Sequence, residues 1–200
     1  MEALGDFVTK INWVDIMIVL FGVRIIYIGI KNGFISELFK LIGVVFAIFI
    51  TFHYYTQVAD FFKDHTGLSE NNAGFLSFGL LWAVVTLIFK FIRDGILLIF
   101  KIEALSLVDQ WGGLLLSILR SALVGSMVLI FLMISNLGYW RSHAGKSFFN
   151  PYLIAVSPKI YKATYDGIVS KFFPTEKLNP AGFNLEVEKK ESGSAHSPAQ

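Results

Sequence analysis

Five ionisable side chains, Asp15, Arg24, Glu37, Asp109 and Arg120, stand inside or at the ends of long apolar runs. An ionised group near the centre of a hydrocarbon layer costs about 2.5–3.5 kcal/mol on insertion scales, so each needs an opposite charge or a route to water. Two kinds of chemistry are open to such a set. The charges can staple helices together or snorkel to the headgroups, or they can line a path for a proton, an ion or a substrate. Arg120 is the deepest, roughly 13 Å into its run at helical rise, and Glu37 and Asp109 lie toward the same side. A Glu37 to Arg120 contact is the expected pair. Arg24 can reach the same headgroup region alone or compete for Glu37, and Asp15 lies near the opposite face with Lys10 rather more than a turn away.

Conventional catalytic chemistry has little to work with. There is no cysteine, hence no thiolate nucleophile, disulfide framework or Cys-based metal site. No pair among the four histidines has metal-ligand spacing. His53, beside Tyr54 and Tyr55 at the end of an apolar segment, reads as a headgroup-level anchor, with a ligand role as the alternative. No Ser/His/Asp set and no phosphate-cradling glycine loop is present, so neither an enzyme nor a cofactor or metal is expected. With 17 Lys+Arg against 15 Asp+Glu, a formal charge of +2 and no basic stripe, a nucleic-acid partner is excluded too.

The elements that must position these charges follow from the apolar runs. Mean hydropathy is +0.62 and 54% of residues are hydrophobic, 20 of them phenylalanine, above the roughly 45–50% apolar content of soluble domains. These residues are gathered into runs instead of being spaced at a helical or strand period, which points to a bilayer as solvent. The reading is an all-α membrane protein of about four transmembrane helices, plus an amphipathic C-terminal helix and a frayed tail. The helices are expected near residues 11–30, 34–55, 75–92 with an amphipathic extension to 105, and 111–135, within a membrane domain of 1–137. The first run is retained and is no signal peptide: acidic residues precede it, Arg24 interrupts it and no small-residue cleavage site follows.

The turn Lys31-Asn32-Gly33 makes the first two helices an antiparallel hairpin. A polar loop with Asp60, Lys63, Asp64, Glu70, Asn71 and Asn72 follows the second. Asp109 opens the fourth run, where a carboxylate suits the free amides and the positive dipole end of that helix. Residues 138–175 form an interfacial helical segment in which Asn150-Pro151 and Ser157-Pro158 signal helix starts. There Ile160, Tyr161, Tyr165, Ile168, Val169, Phe172 and Phe173 form one stripe that docks on the membrane surface or, alternatively, on the protein's own helices or a partner. Residues 176–200 read as a disordered tail.

In the fourth run Gly113, Ser117, Ser121 and Gly125 recur every four residues, a small-residue ridge that lets another backbone approach closely. Its partner is one of the other helices or, in a homo-oligomer, a second copy. Basic residues toward the turns after the first and third helices would place both short connections in the cytoplasm and both termini outside by the positive-inside rule.

Several short motifs then share an order with a known family. Asn12-Trp13-Val14-Asp15, Lys31-Asn32-Gly33-Phe34-Ile35-Ser36-Glu37, His53-Tyr54-Tyr55-Thr56, and Ala104-Leu105-Ser106-Leu107-Val108-Asp109 ahead of Gly112-Gly113 and Arg120-Ser121-Ala122 resemble the bacterial colicin V production protein family. The likeness covers roughly Ile11 to Leu137. Two departures remove positive charge: Gln110 follows the aspartate and Lys31-Asn32 precedes the turn glycine, where the family commonly has arginine. The resemblance implies a multi-pass inner-membrane protein needed for production or export of a peptide toxin and for envelope upkeep, with no catalytic residues. The expected partners are the lipid bilayer and an envelope or export protein. The alternative function is a small transporter or channel in which Glu37, Arg24 and Arg120 line a polar path.

Overall fold

Apolar runs of this length have one economical solution in lipid, a helix whose backbone groups are all bonded within the segment. The computed structural model describes residues 12–99, 107–173 and 175–180, and it contains no strand among them. Three helices are long and apolar enough to cross a membrane: α1 (Trp13–Thr66), α2 (Glu70–Ile99) and α3 (Leu107–Ile134). Short elements follow: α4 (Gly138–Gly145), α5 (Asn150–Leu153), α6 (Val156–Thr164), a π-helical turn (Tyr165–Val169) and α7 (Ser170–Phe172).

Helix α1 has 54 residues, about 80 Å if straight, against a hydrocarbon core of about 30 Å. It does not run straight. At Gly33 the backbone adopts φ 74° and ψ 176°, a conformation that glycine alone enters readily, and the chain turns back there. The contacts with α3 show the reversal. Along residues 13–32, Gly29 faces Gly113 and Ser117, while Ile18 faces Gly125 further along α3. Along residues 34–66, Phe34 lies against Gly112, Glu37 pairs with Arg120, and Phe52 joins Leu129, Ile130 and Leu132 in the core. One arm therefore runs antiparallel to α3 and the other parallel to it. The expected hairpin is present, but its turn is one residue inside continuous helix and not a three-residue loop.

Helix ends also differ from expectation. The second arm continues through Asp60, Lys63 and Asp64 to Thr66 and stops at Gly67, whose φ of 67° lets its amide donate a hydrogen bond back to the Lys63 carbonyl. The polar stretch expected as a loop is thus mostly helix: Asp60, Lys63 and Asp64 continue the second arm, and Glu70, Asn71 and Asn72 open α2. Only residues 67–69 connect it to α2, which begins at Glu70. The amphipathic extension beyond 99, Lys10 and the tail after 180 lie outside the described residues.

The solvation pattern is inverted relative to a water-soluble bundle. Large apolar side chains face outward on all three long helices, with Leu20 66%, Phe91 69% and Leu115 73% exposed. Polar side chains are inside: Glu37, Thr51, Ser77, Ser117 and Ser126 are fully buried. Helix α1 packs on both α2 and α3, while α2 and α3 touch each other little, so the hairpin is the hub of the bundle.

The short helices gather at the end of the bundle that holds Asn12, away from Gly33. Tyr161 of α6 is buried between Phe49 and Phe52, and the Ser157 amide donates to Ser126 Oγ of α3 at 3.0 Å. The C-terminal stripe therefore splits: its first part packs on the protein's own helices, while Ile168, Phe172 and Phe173 stay exposed. Neither Asn150 nor Ser157 caps a helix through its side chain; each sits inside the first turn. Because α4 and α6 dock at this end, Arg141, Lys146, Lys159 and Lys162 join Lys63 there. Lys159 and Lys162 thereby narrow the end-to-end charge difference behind the expected orientation.

Candidate functional site

The strongest polar cluster lies one to two turns beyond Gly33, where the second arm meets α3. Glu37 is fully buried. Its Oε2 lies 2.9 Å from Nη2 of Arg120, and its Oε1 accepts from Nζ of Lys40 at 2.5 Å. The second contact is an i,i+3 pair on one helix, and the first joins two elements 83 residues apart in sequence. Arg120 Nη2 also comes within 3.5 Å of the Ile25 carbonyl on the first arm. One guanidinium thus touches both arms of the hairpin from α3. Side chains on a helix lean toward its N-terminus, which is why Arg120 reaches back toward the Gly33 end although its Cα sits deeper.

The other candidates occupy separate places. Asp109 stands in the first turn of α3, yet its Oδ1 accepts from the amide of Phe34 at 2.8 Å. It also serves the start of the second arm, whose amides are freed by the break at Gly33. Asp15 is buried at the opposite end. It closes a capping box with Asn12, and its Oδ1 accepts from Ser147 Oγ at 2.5 Å, tying the first arm to the segment between α4 and α5. Arg24 is exposed on the first arm and makes no ion pair among the described residues. The structure brings Glu37 and Arg120 together and leaves Arg24 outside, so the three do not line one path.

The small-residue ridge has an occupant. A Cβ on Gly113 would lie 2.5 Å from the Gly29 carbonyl oxygen, and one on Gly29 would lie 2.5 Å from Ser117 Oγ. At Gly125, Leu153 and Ile18 close the gap. Gly113, Ser117 and Gly125 are buried and Ser121 is half-buried, its hydroxyl donating to the Ile118 carbonyl. The ridge is therefore an intramolecular seam. Its counterpart on the first arm, Gly29-x-x-x-Gly33, is a second small-residue motif, legible in the sequence by the same spacing.

His53 also departs from expectation. It is 4% exposed, with Nδ1 3.2 Å from the Tyr161 hydroxyl and Nε2 3.2 Å from a Glu176 carboxylate oxygen. Instead of anchoring at headgroups, it joins the second arm to α6 and the segment after it. Nearby, Nδ2 of Asn179 donates to the Phe52 carbonyl at 2.9 Å, and the Asn179 amide donates to the Tyr161 hydroxyl at 3.0 Å. Burial pushes the Tyr161 phenol above the ordinary tyrosine value, opposed by that amide.

Residues 14–158, well over half of the chain, match the family described as Colicin V production protein. The chain belongs to the colicin V production protein family. No curated protein and no solved structure matches it. The matched span starts one residue after α1 begins and ends inside α6, so it takes in the whole hairpin, both further long helices and the docked part of the C-terminal segment. Together with the inverted distribution of apolar and polar side chains, membership identifies an all-α membrane protein.

Lys40, Lys90 and Arg93 were absent from the expected site residues. Lys90 and Arg93 lie at i,i+3 on α2 and, with Lys40 and Arg120, line a cavity of about 180 Å³ between the second arm, α2 and α3. The Glu37-x-x-Lys40 spacing and the shared helical face of Lys90 and Arg93 are both legible in the sequence; that the two faces meet across one cavity is not.

Proposed function

We propose that this protein is a non-enzymatic, multi-pass component of the bacterial inner membrane that assists toxin production or export and maintains the envelope. It crosses the membrane four times, through the two arms of α1, α2 and α3. Each arm has the length for this: residues 13–32 span about 30 Å, and residues 34–55 span about 33 Å up to the His53-Tyr54-Tyr55 belt. Both ends of the bundle domain then lie on the same side, where the short helices form an interfacial platform.

The observation that carries the reading is the family match over residues 14–158. The non-enzymatic part is supported by how the charges of the bundle are used: Glu37, Arg120, Asp109 and Asp15 each join segments distant in the chain. Such a protein acts through what it contacts. The exposed Ile168, Phe172 and Phe173, with Lys171 among them, suit either the bilayer surface or an envelope or export protein.

A deletion strain of the producing bacterium tests the proposal. It should show a detergent-sensitive envelope or a loss of toxin export, restored by the full chain; a strain indistinguishable from its parent in both assays rejects the role. Reconstituted vesicles that move an ion or solute, with Arg120→Leu abolishing that movement, would favour a transporter instead.

A further inference from the structure

Four cations, Lys40, Lys90, Arg93 and Arg120, line the cavity of about 180 Å³ between the second arm, α2 and α3. Two carboxylates are at hand: Glu37 is shared by Lys40 and Arg120, and Asp94 pairs with Arg93. The local balance is four positive against two negative, an excess of +2 beside a cleft at membrane depth. Excess charge of this kind is costly unless an anion or water meets it.

The donors are also incompletely used. Arg120 Nε is buried and makes no hydrogen bond. Arg93 turns Nε and Nη2 toward Asp94, which leaves its Nη1 uncommitted to that carboxylate. Lys90 is exposed and has no ion pair among the described residues. Guanidinium and ammonium groups converging from three helices are the arrangement that meets tetrahedral oxyanions, the guanidinium by its fork and the ammonium as a point charge.

The walls of the cleft are not polar throughout. Phe39 and Phe89 line it, and the adjoining surface of α2 carries the exposed Phe91 and Ile92. Lys40 lies about 10 Å from Gly33 at helical rise, a depth that headgroups reach and that lysine stems span by snorkelling.

We infer that this cleft binds the phosphate group of an anionic molecule, held by Arg93 and Lys90 on α2 against Arg120 and Lys40. The source is either a phospholipid headgroup or a soluble phosphate. The depth argument rests on the four-crossing reading above, whereas the charge and donor arguments do not.

The full-length protein is placed in nanodiscs of zwitterionic phosphatidylcholine, and phosphatidylglycerol is titrated in while thermal stability and lipid retention by native mass spectrometry are followed. In a parallel arm, inorganic phosphate is added to the protein in detergent, which needs no membrane. The expected result is preferential retention of phosphatidylglycerol, falling about tenfold in Lys90→Gln/Arg93→Gln. The charge-conserving Lys90→Arg should keep it, as should Lys159→Gln/Lys162→Gln at the other end of the bundle. Protection by phosphate in the detergent arm, lost in the same double variant, assigns the site to a soluble phosphate. Equal retention of both lipids with no protection by phosphate overturns the inference, and so does a preference unchanged by the double variant. Lys90→Gln alone, at an exposed position, should already weaken binding several-fold.

Discussion

Arg120 Nη2 stands 2.9 Å from Glu37 Oε2, and the carboxylate it meets is wholly buried. Breaking one side of a buried pair leaves the other uncompensated, commonly at about 3–5 kcal/mol. Lys40 remains on Glu37 in Arg120→Leu, so a loss near the lower bound, about 3 kcal/mol, is expected from unfolding in detergent micelles. Glu37→Gln added to Arg120→Leu should return part of it. A single variant as stable as the wild type would show that the pair contributes nothing to the fold.

Gly33 should tolerate no side chain. Its φ of 74° with ψ of 176° is strained for any L residue by about 1–3 kcal/mol, and a Cβ there would also sit 2.8 Å from Asp109 Cγ. Gly33→Ala is expected to destabilise more than Asp109→Ala, whose removal of the acceptor from Phe34 should cost about 1 kcal/mol. The order of the two melting temperatures is the measurement.

The seam between Gly29 and Gly113 sets up a contrast with Gly22. A Cβ at Gly22 meets nothing within 4 Å, so Gly22→Ala should be neutral or stabilising by up to about 1 kcal/mol through helix propensity. Gly113→Leu and Gly29→Leu should instead force the first arm off α3. Crosslinking between cysteines introduced at Ile18 on the first arm and Gly125 on α3 would report the separation; undiminished crosslinking in Gly113→Leu would mean the seam is not a close contact.

The C-terminal clasp should come undone at alkaline pH. Burial raises the Tyr161 phenol above its ordinary value of about 10. A group whose folded value is raised contributes stability that is fully present below its unfolded value and is lost as pH rises through the folded one. The near-UV circular dichroism of the clasp should therefore be lost as pH rises above about 10, while at neutral pH trypsin should cut only slowly at Lys171 and Lys177. Tyr161→Phe, which loses the contacts to His53 and Asn179 at about 1 kcal/mol each, should show fast cleavage already at neutral pH.

Much of the architecture is written in local sequence. Unbroken apolar runs separated by Lys31-Asn32-Gly33 and by Gly67 dictate long helices, because in lipid the backbone has no other partner for its polar groups. The hairpin was legible for the same reason: glycine at the end of one apolar run and the start of another marks where the chain can take φ above zero. The Glu37 and Arg120 contact was legible as well, since two opposite charges at similar depth on neighbouring helices have few alternatives.

What local sequence does not carry is azimuth, the direction each residue faces around its helix. Arg24 and Arg120 look alike in a hydropathy profile, yet one faces outward and the other bridges both arms, and only packing of α3 against the Gly29 seam separates them. Asp109 stands in the first turn of α3, as its place in the sequence suggests, but that it also receives the Phe34 amide depends on the reversal at Gly33, which brings the two together. His53 lost its place at the headgroups once Tyr161 and Glu176 came back over it. Sequence alone determined that four apolar segments would form helices and that their charges would need partners; only the tertiary structure decided which partners, since rotation about a helix axis is set by the surfaces that meet and not by the residues within one turn.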